Sequence, residues 1–139
     1  MYQHIVLAAD GSANALRAAK EAVKIARLSA NTVVNIVYVA SFDNARAEHL
    51  HSASSESLLL ERRRKVATVE QLLKEHHISY KVTILKGEPA PKIIQYANDN
   101  QVDLVIIGSR GLNGLQEMVL GSVSHKVMKR VNCPALIVK

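Results

Sequence analysis

The chain has 139 residues, 48 % apolar and 22 % charged, with a net charge of +6 and a single cysteine, Cys133. That is length enough for one domain with a real core, in a composition ordinary for a globular protein. No apolar run approaches the roughly 18 residues of a membrane span, the opening MYQHIVLAADGS lacks the basic leader of a signal peptide, and one cysteine excludes an internal disulfide, so the cytoplasm is the expected compartment.

The basic excess could serve an anionic ligand or nucleic acid, but it reads more simply as a solvated surface. Its densest run, ERRRK at 61–65, falls in a predicted helix, where 3.6 residues per turn spread the charges around the cylinder. No aromatic residues interleave with it to stack on bases, and no helix-turn-helix pattern or basic arm occurs, so neither nucleic acid nor membrane is an expected partner.

HIVLAA (4–9) is a short apolar run ending at Asp10-Gly11-Ser12, which predicts a buried strand meeting a turn. From 13 to 28 the period becomes helical. Leu16, Ala19, Val23 and Ala26 form one seam, with Ala15, Ala18, Ala22 and Ile25 beside it, and Ser12 is the natural N-cap. TVVNIVYVA (32–40) is β-branched and predicts a second strand. Residues 41–57 are polar without a period, a long loop containing Asp43, Glu48, His49 and His51. A helix is predicted from Glu56 to His76 with Leu59, Val66, Val69 and Leu73 inward, and then an alternating strand, SYKVTILKG (79–87), near a sheet edge. Pro89 opens a helix to about Asn98 with Ile93, Ile94 and Ala97 inward. DLVIIG (103–108) is a continuous apolar strand, a helix follows over about 122–131, and ALIV (135–138) is a final short strand.

Strands alternating with helices predict an α/β fold with a parallel sheet covered on both faces, in a single domain over 1–139. The first and fourth strands are the most continuously apolar, so they belong in the centre of a five-stranded, doubly wound order 3-2-1-4-5. A sheet so ordered binds ligands at the carboxyl ends of strands 1 and 4, where the winding reverses. Asp10-Gly11-Ser12 and Gly108-Ser109-Arg110-Gly111 fall there.

Four of the six glycines lie in GSRGLNGLQEMVLGS, Gly108 to Ser122. Glycine lets a ligand approach the main chain, and Gly121-Ser122 opens a helix whose free N–H groups attract phosphate. Ser122 and Ser124 could add hydroxyls, and Arg110 could add charge or point to solvent. Equally, the glycines could only make turns, since spacing of this kind is a weak signal. Neither G-x-x-x-x-G-K-[ST] nor, after the first strand, G-x-G-x-x-G is present, which argues against a P-loop NTPase and a common dinucleotide enzyme.

Gly108, two residues, Gly111, nine residues, Gly121 and Ser122 reproduce G-x2-G-x9-G-[ST]. In that motif, in IVLAADGS, in GEPAPKIIQYA and in the C-terminal LGSVSHKVMKRVNCPALIVK, the chain resembles the ATP-binding branch of the universal stress protein family. Only the 41–57 loop lacks a match. The resemblance implies a stress-response regulatory protein that binds ATP with Mg2+ or Mn2+. Asp10, in the turn with Gly11 and Ser12, would meet the ribose or the metal. The main chain of Val39 would meet adenine. Gly108, Ser109 and Gly111 would lie along the ribose and phosphates, and Gly121, Ser122 and Val123 would hold phosphate through N–H groups. It also implies a homodimer paired through strand 135–138. From the residues alone, Asp10 is a helix-capping turn residue and Val39 is core.

Ser122, Ser124 and His125 do not form G-x-S-x-G, so no acyl-transfer nucleophile is expected. His49 and His51 lack further ligands at metal spacing, His76-His77 suits a helix end, and Cys133 reads as packing. The expected role of ATP is therefore structural or signalling, toward a protein partner the sequence does not identify. The alternatives are a slow ATPase or autophosphorylating protein, for which no clear base or loop lysine is present, and a nucleotide-free dimeric module.

Overall fold

The computed structural model describes residues 2–40, 55–110 and 120–139, without the side chains of 55–59. The elements are β1 (His4–Ala8), α1 (Ala13–Ala26), β2 (Val33–Ala40), α2 (Ser55–Arg64), α3 (Ala67–Glu75), β3 (Tyr80–Lys86), α4 (Pro89–Asp99), β4 (Leu104–Gly108), α5 (Ser122–Arg130) and β5 (Ala135–Val138). Their five strands form one parallel sheet in the order β3-β2-β1-β4-β5, as the apolar continuity of the first and fourth strands requires. Ile5, Val6 and Leu7 of β1 and Val105 and Ile106 of β4 are fully enclosed, whereas β3 and β5, at the two edges, are only partly covered.

Each central strand sends alternate residues to opposite faces. On one side Ile5, Leu7, Ile36 and Ile106 pack against the alanine seam of α1 and against Val66, Val69 and Leu73. On the other, Val6, Val37 and Val105 pack with Ile93 and Ala97 of α4 and Val127 of α5. One polar group interrupts this second layer. Asn35, fully buried in β2, donates to the Tyr96 hydroxyl and accepts from Thr83 Oγ1 at 3.0 Å, so the buried amide is satisfied. Asp103 clamps the start of β1, accepting from the N–H groups of Gln3 and His4 at 2.9 and 2.8 Å. Those backbone hydrogen bonds, His4's first, hold its carboxyl below the usual range.

The helix expected over 56–76 is two helices. Lys65 and Val66 N–H groups bond three residues back, to Arg62 and Arg63 carbonyls at 3.1 and 3.2 Å, and the tightened turn ends α2. Val66, the N-cap of the second helix, is then fully buried. Of the four inward positions expected there, Val66, Val69 and Leu73 are in the core, and the Leu59 side chain lies outside the described residues, as does the 41–54 stretch with its histidines. No helix among the described residues is long and apolar enough to cross a membrane.

Candidate functional site

β1 and β4 run side by side, with Leu7 opposite Ile106, and both chains leave the sheet at its carboxyl edge toward helices. The winding reverses between them, so no connection bridges the gap above the two strand ends.

The β1–α1 junction is short and self-satisfied. Asp10 Oδ1 accepts from the Ser12 N–H at 2.9 Å, Gly11 takes φ +85°, and Ser12 Oγ caps α1 by accepting from Ala15 N–H at 3.1 Å. Asp10 is half-buried at the mouth of the gap. The α2–α3 elbow rests on this turn, since a Cβ on Gly11 would lie 3.5 Å from both Lys65 Cδ and the Lys65 carbonyl oxygen. The basic run is therefore not a uniform solvated face. Arg62 is 6 % exposed, Lys65 lies over Gly11, and Arg63 grips Glu70 with two bonds of 2.8 and 3.2 Å. Arg63 hydrogen bonding outweighs burial and holds the Glu70 carboxyl below its usual range, and the Tyr80 hydroxyl adds a bond of 3.2 Å.

The β4–α5 junction is built differently. Gly108 packs directly under the first turn of α1, where a Cβ would meet Asn14 Cβ at 2.9 Å and the Asn14 carbonyl group at 3.0 Å. Ser109 follows with its N–H bonded to Val138 O at 2.7 Å. Its carbonyl then receives the Gly121 N–H at 2.6 Å and the Ser124 hydroxyl at 2.9 Å. These two bonds fasten the start of α5 to the end of β4, so the two ends of the glycine loop meet. Gly111 lies outside the described residues. Gly121 is the N-cap of α5 and has no side chain to cap with, so the first intrahelical bond runs from His125 N–H to Gly121 O at 3.0 Å. The N–H groups of Ser122, Val123 and Ser124 have no acceptor within the helix, and the helix dipole adds to their positive charge. Ser122 and Val123 are exposed and half-buried respectively, while Ser124 is 2 % exposed and its hydroxyl is spent on the Ser109 and Gly121 carbonyls.

Val39 lies farther along the same edge. Odd-numbered residues of β2 direct their main chain toward β1, as Val33 N–H to Gln3 O and Ala9 N–H to Val37 O show, and even-numbered ones direct it toward β3. The β1–β2 ladder ends at the Ala9–Val37 bond of 3.0 Å, so the Val39 N–H and carbonyl face the gap past the end of β1 while its side chain is buried in the second core layer. Among the described residues no group of three or more His, Cys, Asp or Glu could hold a metal ion by itself. A lone carboxylate such as Asp10 suits Mg2+ only if phosphates and water supply the other ligands.

Asn14 and Lys65 are parts of this edge that reading the sequence did not single out. Asn14 had a signal, being an amide in register with Ala18 and Ala22 on the inward face of α1. Lys65 had none, because its position depends on the break between α2 and α3. Cys133 is half-buried against the second layer, and burial pushes its thiol up.

Among the described residues the geometry offers main-chain donors at the start of α5, the Val39 main chain past the end of the β1–β2 ladder, and the Asp10 carboxylate just past β1, the strand between them. Comparisons with known proteins cover the whole chain. The family model described as universal stress protein family matches residues 1–139. Universal stress protein MJ0531 of Methanocaldococcus jannaschii is 34 % identical over 141 residues, covering 100 % of this chain and 83 % of its own. The solved structure of MJ0577, from the same organism, superposes with a TM-score of 0.85 at 31 % identity, covering 100 % of this chain and 96 % of that one. A universal stress protein solved in complex with cAMP superposes at 0.67 with 26 % identity, over 99 % and 97 % of the two chains. The motif, the sheet order and these likenesses agree over the full length: the chain belongs to the universal stress protein family.

Proposed function

We propose that this chain is a cytoplasmic, ATP-binding regulatory protein of the stress response. In that reading the nucleotide spans the gap between β1 and β4. Adenine meets the Val39 main chain, and the ribose and phosphates run along Gly108, Ser109 and Gly111. The phosphates end on the Ser122 and Val123 N–H groups, with the Ser122 hydroxyl helping and Gly121 shaping the approach. A divalent ion, Mg2+ or Mn2+, is shared between the phosphates and Asp10, beside Gly11 and Ser12. The Gly121 N–H is not among the donors, because it is given to Ser109. The observation that carries the reading is the start of α5, which lacks a side-chain cap and is fixed by that bond at the end of β4. Family membership and the cAMP complex of a structural neighbour support an adenine nucleotide as the ligand.

ATP serves here as a structural or signalling ligand rather than a substrate. In this reading Asp10 is committed to the metal ion rather than to a water, and the loop between β4 and α5 carries no lysine to steady a transferring phosphoryl group. The chain acts as a single domain, 1–139, and pairs with a second copy through the outer edge of β5, Ala135–Val138, which would cover an open strand. Its regulatory output passes to a protein partner. The test is thermal unfolding with and without ATP and Mg2+. A ligand at 100 times its dissociation constant stabilises by about 2.7 kcal/mol, so a clear upward shift is expected. No shift with any adenine nucleotide, and none retained on purification by mass spectrometry, would leave the nucleotide-free module as the better description.

A further inference from the structure

Ser109 is 5 % exposed, and each of its main-chain groups is already bonded, the N–H to Val138 and the carbonyl to Gly121 and Ser124. Only its hydroxyl remains, and Asn14 Nδ2 approaches that oxygen at 3.2 Å. The direction of the Asn14 amide follows from chemistry. A guanidinium has donors and no acceptor. Arg17 Nη2 bonds the other end of the Asn14 amide, so that end is the oxygen and the end facing Ser109 is the NH2. Arg17 is itself held from behind, its Nε donating to the Lys139 carbonyl at 3.0 Å just past β5. Asn14 is 8 % exposed and wedged over Gly108, so the amide cannot turn away. The Ser109 oxygen therefore accepts, its own hydrogen remains to be given, and no acceptor for it exists among the described residues.

We infer that Asn14, oriented by Arg17, is a positioning residue that fixes the Ser109 hydroxyl as a hydrogen-bond donor into the gap. That polarity selects an acceptor oxygen on the ribose–phosphate part of the ligand. The inference rests on the nucleotide reading of this edge and adds a specificity element outside the motif.

The experiment uses four full-length proteins: wild type, Asn14→Asp, Ser109→Ala and the double variant. For each, the dissociation constant for ATP with Mg2+ is measured by calorimetry and the ligand-free melting temperature is recorded. Aspartate has the shape of asparagine and keeps Arg17, but offers Ser109 an acceptor, so the hydroxyl hydrogen turns inward and lone pairs face the ligand. Asn14→Asp is expected to weaken ATP by about tenfold or more, Ser109→Ala by a similar factor, and the double variant no further than Ser109→Ala alone. A simple charge or packing effect of the Asn14→Asp substitution would persist without the hydroxyl. The inference is overturned if Asn14→Asp binds like wild type, or if its loss is undiminished in the Ser109→Ala background. Should Asn14→Asp not fold, Arg17→Met, which frees the amide, decides by the same comparison, with an effect expected only when Ser109 is present. A wild type that binds no adenine nucleotide overturns the nucleotide reading and this inference together. A wild type that binds beside an unaffected Asn14→Asp overturns only the latter.

Discussion

The strand-to-helix junctions that follow β1 and β4 at the carboxyl edge of the sheet are opposites. After β1 the chain turns in a few residues, and its polar groups satisfy one another. Asp10 takes the Ser12 N–H, and Ser12 takes the Ala15 N–H, so the start of α1 has spent part of its donor capacity. After β4 the helix begins at a glycine with no side chain to cap it, and no acceptor within the helix takes its first N–H groups. The same element, a helix pointing its positive end at the sheet edge, is thus closed in one place and open to an anion in the other. The lesson is that glycine at an N-cap does more than relax the backbone. It withholds the internal acceptor that would compete with a ligand.

Gly121→Val should break the comparison most sharply. A Cβ there would sit 3.3 Å from the Ser109 carbonyl oxygen and 3.5 Å from Arg110 Cα, and a branched side chain would enter the path proposed for the phosphates. ATP affinity is expected to fall by about 100-fold or more, roughly the loss of two charge-assisted hydrogen bonds, with circular dichroism little changed. Normal ATP binding by this variant would show that phosphate does not lie at α5. Gly108→Ala tests the first glycine of the same junction with the opposite expectation. Its Cβ meets the Asn14 backbone at 3.0 Å, which cannot yield as a flexible side chain can. Overpacking should cost about 2 kcal/mol of stability in urea unfolding without ligand. An unchanged midpoint would mean that α1 and β4 are less tightly apposed than this contact requires.

Ser12→Ala removes the internal acceptor at the closed junction. Loss of a cap costs about 1 kcal/mol, and it should appear in the unfolding midpoint far more than in ATP affinity, reversing the pattern of Gly121→Val. Equal effects on both would erase the distinction between the junctions. Smallest is Glu70→Gln, which loosens the elbow that places Lys65 over Gly11. Glu70 is 8 % exposed but its partner Arg63 is half-exposed, so solvent screening limits the loss to about 1 kcal/mol at neutral pH. The sign is fixed by the Glu70 carboxyl being held low in the fold. The wild-type advantage should be full above the unfolded glutamate pKa of about 4.3 and fade as pH falls through the lower folded value. An advantage that instead grew on acidification would contradict the pairing.

Much of this edge is legible in the sequence. The alanine seam of α1, the unbroken runs of β1 and β4 and the Asp10-Gly11-Ser12 turn each depend on neighbours within a few residues, and so does the glycine spacing. What cannot be read there is contact between distant segments. Lys65 appears in sequence as one charge among several in ERRRK, and only the tight turn before Val66 sets it over Gly11. Ser124 looks like a spare hydroxyl, yet it is consumed by a carbonyl fifteen residues away. Gly108 looks like room for a ligand, and its missing Cβ is also room for Asn14.

By itself the sequence determined the succession of strands and helices, the strands that had to be central, the family motif and hence the edge of the sheet at which to look, because periodicity and local turn chemistry operate over one or two turns of chain. Only the tertiary structure decided which of the exposed donors remain unspent. Whether an N–H or hydroxyl is free depends on acceptors supplied by segments distant in the chain, and that balance exists only once the sheet has brought them together.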